Sequence, residues 1–170
     1  YRFANADEFV SFGRSHGMAI HGAVLVWGDY VPAWIRGGVF TREQMLGFIK
    51  DYITTVVARY AGNVAVWDVV NEALVWDGTL RRSVFYNAVG ADYIDSAFVW
   101  AHRADPSAKL YLNDFDAEGL GVKSDSLLAL MRRLRTRGVP IDGAGFQSHF
   151  PSAAGSIPTW PARLPGGLGA

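Results

Sequence analysis

Residues 64–74 read VAVWDVVNEAL, an apolar, β-branched run that stops on Asn71 and Glu72, an amide and a carboxylate side by side. A continuous apolar run of this length reads as a strand covered on both faces, the kind that parallel sheets contain. An isolated Asn-Glu pair at a strand end needs no special account, since both side chains are cheap to expose to water. What gives the pair weight is the pattern that recurs on either side of it.

Upstream, ADEFVSFGRSHG (6–17) has helical spacing and MAIHGAVLVW (18–27) is an apolar strand. After a loop with Pro32 and Trp34, residues 41–62 read as a long helix. Thr41 and Gln44 make a capping box at its start, and Gly62 a stop at its end. Downstream, residues 83–104 form one or two helices closed by Asp105-Pro106, and KLYLND (109–114) is a strand. SDSLLALMRRLRTRG (124–138) is an amphipathic helix with Leu127, Leu128, Met131 and Leu134 on one face. IDGAGFQSH (141–149) is a last, glycine-punctuated strand.

Strand and helix alternate throughout, which argues for parallel βα units. A doubly wound open sheet and a segment of a (β/α)8 barrel both fit that alternation. Polar residues separate the two. Trp27, Asn71-Glu72, Asn113-Asp114 and Gln147-His149 fall at the C-terminal ends of successive strands, where a barrel builds its active site. No G-x-G-x-x-G or Walker sequence marks a nucleotide site. The fold class is therefore α/β, of the parallel (β/α)8 TIM-barrel type. A whole barrel takes about 200–250 residues, so only the central four βα units are expected, over residues 1–150. The segment 151–170 holds four of the seven prolines and four glycines and reads as an irregular tail or truncated loop. The first residue is Tyr1, with no initiator methionine and no signal-peptide pattern, so a mature or truncated product is expected.

Composition narrows the function. Sixteen basic and 16 acidic side chains cancel, which removes any general attraction to nucleic acid or an anionic membrane. The run RRLRTR (132–137) sits near the end of a helix and reads as a solvated face suited to the helix dipole. There is no cysteine, hence no thiolate nucleophile or disulfide. The four histidines are scattered without metal-ligand spacing, so no metal and no cofactor is expected. Six tryptophans suit either a bulky core or a cleft that stacks flat ligands such as sugars.

WDVVNEAL, with LYLNDFD and IDGAGFQSHF downstream and GAVLVWGDYVPAW upstream, resembles the retaining xylanases of glycoside hydrolase family 10 over about residues 1–150. The resemblance implies a (β/α)8 barrel that cleaves internal β-1,4 bonds of xylan, without cofactor, as a secreted monomer. It makes Glu72 the general acid/base and Asn71 the residue bonding the sugar's 2-hydroxyl. Trp27 would lie against the sugar at the cleavage point, and Gln147 and His149 would contact substrate and the nucleophilic carboxylate. The chemistry of these residue types agrees. Glycoside hydrolysis needs one carboxyl to protonate the leaving oxygen and a second across the sugar. The donor is expected in an apolar or negatively charged surrounding that keeps it protonated. Read singly, Trp27 is equally a core residue, His149 a loop histidine, and Asp68 a structural partner rather than a second catalyst.

Three departures stand against the family pattern. Ala23 and Gly28 replace its usual histidines, and Tyr30 a usual glutamine. The family's nucleophile is a Glu on a strand after G-x-Q-x-H, and no Asp or Glu follows His149. The family's sugar-binding Asn and Lys on earlier strands would precede Tyr1. Asp114 and Asp116 are the nearest stand-ins for a second carboxylate. The 170 residues alone are thus expected to be inactive, and an open half-barrel with two uncovered edges is expected to be weakly stable. A non-catalytic carbohydrate-binding relative is the alternative; a sugar-phosphate enzyme would need a phosphate loop that is not here.

Overall fold

A computed structural model describes residues 1–150; the expected irregular tail at 151–170 lies outside them. Four strands, β1 (His21–Trp27), β2 (Val66–Asn71), β3 (Lys109–Asp114) and β4 (Gly143–Phe146), form one sheet in the order β1-β2-β3-β4, every pair parallel. Each strand lies beside its successor. A doubly wound sheet reverses direction at a switch point, and no reversal occurs here. The sheet is an arc of a barrel, with β1 and β4 as its edges.

Among the described residues six helices accompany the strands: α1 (Ala4–Ser15), α2 (Ala33–Arg36), α3 (Arg42–Arg59), α4 (Val84–Val89), α5 (Asp92–Ala104) and α6 (Val122–Thr136). The capping box of α3 forms as the spacing requires. Gln44 N–H donates to Thr41 Oγ1 at 3.3 Å, and Thr41 N–H donates to Gln44 Oε1 at 2.9 Å. Met45, Ile49, Ile53 and Val57 repeat every fourth residue and are buried. On α5 the buried stripe is Tyr93, Ile94, Ala97, Phe98 and Ala101, and the two helices pack together against the sheet. Val69, Val70, Leu110 and Leu112 in the central strands are fully buried, each worth about 1.5–3 kcal/mol by area removed from water.

Differences from the sequence reading lie at element ends. β1 starts at His21 rather than Met18, and β4 spans four residues, so Gln147 and His149 lie past the strand. Glycine weakens strand propensity, and β4 carries Gly143 and Gly145. α2, a single turn after Pro32, has no periodicity to show. In the basic run, Arg132, Arg133, Arg135 and Arg137 are exposed around a buried Leu134, and Arg137 pairs with Asp95 at 2.6 Å. Among the described residues no helix is long and apolar enough to cross a membrane.

Candidate active site

Strand register sets the site. Trp27 pairs with Asn71, Asn71 with Asn113, and Asn113 with Gly145, so one row crosses the C-terminal ends of all four strands. A Cβ at position 145 would lie 2.6 Å from Asn113 Oδ1, so glycine there leaves the Asn113 amide its space. Asn113 Nδ2 then donates to Asn71 Oδ1 at 2.8 Å, and Gln147 Nε2 donates to the same oxygen at 3.1 Å. With Oδ1 occupied twice, Asn71 presents its NH2 to the cleft. One N–H reaches Glu72 Oε1 at 3.3 Å, leaving the other for a ligand oxygen.

Glu72 follows β2 in the left-handed region, φ 54°, a conformation costing about 1–3 kcal/mol for a residue with a side chain. Its N–H donates to Asn113 O at 2.9 Å, which holds the turn. The carboxylate side chain is 12% exposed. Oε1 also accepts from Gln147 Nε2 at 3.2 Å, and Oε2 faces Arg81 Nη2 at 3.5 Å. The apolar or acidic surrounding expected for a proton donor is not what Glu72 has: two amides and a guanidinium face it. Trp76, close in sequence, is exposed and meets Phe115 edge-on at 4.8 Å instead.

Gln147 is the hinge of the polar cluster. Its Oε1 lies 2.9 Å from His149 Nε2, so the imidazole carries its proton on Nε2 and donates it there. Ser148 between them has φ 53°, and its N–H donates to Glu118 Oε1 at 2.5 Å. Trp27 is half-buried and packs on Tyr30, ring centroids 4.3 Å apart and planes tilted by 32°. All five sequence-derived residues, Glu72, Asn71, Trp27, Gln147 and His149, thus sit at the same end of the sheet. Asn71, Glu72, Gln147 and His149 form one hydrogen-bonded cluster, which Trp27 joins through strand register.

Asp68 and Asp114 are committed elsewhere, whereas Asp116, the other stand-in read from sequence, is exposed past β3 with φ 50°. Asp68 is buried, with its Oδ1 3.0 Å from His21 Nε2. Asp114 has a completely buried side chain. It pairs with Lys123 Nζ at 2.8 Å and accepts from the N–H groups of Leu74 (3.1 Å) and Phe115 (2.9 Å). Burial pushes its carboxyl above the ordinary value, against the opposing effect of Lys123. Asp114 therefore does not stand in as a second catalytic carboxylate. Arg81 and Glu118 were not identified from sequence. Neither lies at a strand end, and only the fold brings them to Glu72 and Ser148.

The C-terminal rim of this parallel barrel arc thus carries an Asn-Glu pair and a Gln-x-His turn. The chain belongs to glycosyl hydrolase family 10, whose family model matches residues 1–165. Among relatives, it is 42% identical over 150 residues to endo-1,4-beta-xylanase B of Thermotoga neapolitana, covering 88% of this chain and 43% of that protein. It is 42% identical over 159 residues to endo-1,4-beta-xylanase A of Phanerodontia chrysosporium, covering 94% and 38% respectively. The native xylanase 10B of Thermotoga maritima superposes with a TM-score of 0.85 at 44% identity, covering 86% of this chain and 45% of that one. Xylanase 10B of Thermotoga petrophila RKU-1, solved in complex with xylobiose, gives 0.85 at 43% identity with the same coverage. The chain spans less than half the length of these relatives.

Proposed function

We propose that this chain supplies the acid/base half of a retaining endo-1,4-β-xylanase site. In this reading Glu72 donates a proton to the leaving oxygen of a β-1,4-xylosidic bond and afterwards takes one from water. Asn71 gives its free N–H to the 2-hydroxyl of the sugar at the cleavage point, a contact that strengthens towards the transition state. Trp27 lies against that sugar, and Gln147 and His149 align the substrate and the nucleophile. The observation that carries the reading is the Glu72 carboxyl, 12% exposed and held at the rim by the Asn71 and Gln147 amides and by Arg81. Xylo-oligosaccharides are the proposed ligands, in line with the xylobiose complex of the Thermotoga petrophila relative. Secretion, degradation of polymeric xylan and a monomeric whole protein belong to the same proposal.

Retention requires a second carboxyl about 5–5.5 Å from the first. Asp114 is locked in its ion pair and no Asp or Glu follows His149, so the 170 residues alone are expected to give no turnover. The test is Glu72→Gln in the whole protein. Hydrolysis of unactivated xylan should fall by about 10²–10⁴-fold, the range for losing a general acid; retained activity would overturn the role. Ala23 and Gly28 in place of the family's usual histidines favour a second reading, a carbohydrate-binding relative without catalysis. Xylo-oligosaccharide binding with no turnover by the whole protein would decide for it.

A further inference from the structure

We propose that Arg81 is the positioning residue for proton donation: it holds the Glu72 carboxyl in place and ties it to the aromatic loop after β1. This rests on the reading of Glu72 as the acid. The residue is brought there by the excursion between β2 and α4. Leu74 and Leu80 form an antiparallel bridge, and Arg81 N–H donates to Ala73 O at 2.8 Å, so the chain returns to the rim nine residues after Glu72.

From that fixed root the guanidinium reaches three acceptors. Nε donates to the backbone carbonyl of Glu72 at 2.9 Å, Nη2 faces Glu72 Oε2 at 3.5 Å, and Nη1 faces Asp29 Oδ2 at 3.3 Å. One planar group thus grips both the backbone and the carboxylate of a residue whose φ is strained. Without it, the Glu72 carbonyl loses a partner and the side chain loses one of its three restraints, the only one on Oε2 among the described residues. Only a fork of donors serves three acceptors in fixed directions; a lysine ammonium supplies charge without that geometry.

Asp29 extends the link. Its backbone oxygen accepts from Arg36 Nη2 at 2.7 Å, and it follows Gly28, where an added Cβ would sit 2.5 Å from Ser83 Cβ. That close approach, open to glycine alone, presses the loop against the segment carrying Arg81. Trp27 and Tyr30 flank the same loop and pack on each other with tilted planes. The aromatic platform and the proton donor therefore share one guanidinium.

Proton donation matters in proportion to how poor the leaving group is. A sugar alkoxide cannot depart unprotonated, whereas a dinitrophenolate can. The experiment compares Glu72→Gln, Arg81→Met, Arg81→Lys and Asp29→Asn in the whole protein on xylan and on dinitrophenyl xylobioside. Arg81→Met should lower kcat/KM, which reports the bond-breaking first step, by about tenfold or more on xylan and by less than about threefold on the aryl glycoside, copying the kcat/KM selectivity of Glu72→Gln at smaller size. Arg81→Lys and Asp29→Asn keep the local packing and should show the same bias, more weakly; they carry the test if Arg81→Met does not fold. Equal losses on both substrates, or no loss, in the Arg81 and Asp29 variants while Glu72→Gln remains selective would overturn the positioning role and leave the acid in place. If Glu72→Gln itself lost both substrates equally, the acid reading would fall and this proposal with it.

Discussion

The buried pair of Asp114 and Lys123 makes an asymmetric stability prediction. Lys123 Nζ lies 2.8 Å from Asp114 Oδ1 and 3.1 Å from the centre of the Phe115 ring, with Trp76 5.6 Å away. The two members do not depend on each other equally. Burial raises the Asp114 carboxyl despite Lys123 and two backbone donors. Asp114→Asn keeps shape and one acceptor, and leaves an ammonium that still faces two aromatic rings, a contact worth up to about 2 kcal/mol when desolvated. It should cost about 1–2 kcal/mol. Lys123→Met strands a carboxylate with no exposed surface and should cost about 3–5 kcal/mol, the range for breaking a buried pair. The double variant removes both charges and should recover most of that loss. Urea unfolding at constant slope measures all three, and Lys123→Met should lower the midpoint by about 1–3 M. Because the folded carboxyl titrates above its ordinary value of 3.8, the Lys123→Met deficit should shrink as pH falls through that raised value towards 3.8, and be full above it. Additive losses, or a cost for Asp114→Asn at least as large as for Lys123→Met, would refute the reasoning.

Gly28→Ala should destabilise by about 1–3 kcal/mol through overpacking on Ser83, and adding Ser83→Gly should relieve it, since glycine replaces serine at the α4 N-cap for a few tenths of a kcal/mol; chemical denaturation of the single and double variants checks this. Asp105 ends α5 and accepts from Gly62 N–H, Ser107 N–H and Ser107 Oγ at 2.9, 2.9 and 2.6 Å. Burial opposes its charge, but these bonds together hold its carboxyl below the ordinary 3.8. Its contribution is therefore present above 3.8 and lost as pH falls through the lowered folded value. Asp105→Asn should cost about 1.5–3 kcal/mol near neutral pH, and that gap should close in acid, read from denaturation midpoints across pH.

The barrel arc was legible because its signals are local. The apolar run of β2, the Thr41–Gln44 box and the polar residues ending each strand each follow from neighbours in sequence. Their alignment follows from parallel register alone, so Asn71 and Gln147 could be placed at one rim although 76 residues separate them. Arg81 was not legible, since it reaches Glu72 only when the Leu74–Leu80 bridge folds the connection back. Nor was the left-handed backbone of Glu72, which is imposed by contacts from β3 and Arg81 rather than by its own propensity. The surrounding of Glu72 was misjudged for a related reason. Sequence proximity to tryptophan says nothing about which way a ring turns once β2 is left.

The carboxylates divide by how they are held. Asp68, Asp105 and Asp114 are buried and engaged by histidine, backbone and lysine respectively. Glu72 combines near burial with restraint by two side-chain amides and Arg81 and with a left-handed backbone. A group meant only to stabilise the fold gains nothing from a left-handed φ, because the strain subtracts from stability at no return in packing. The strain makes sense where direction matters more than energy: it turns the carboxyl off the strand axis towards Gln147. Under the proposed role of Glu72, Arg81 and Asn113, which hold that turn, position the carboxyl that donates the proton.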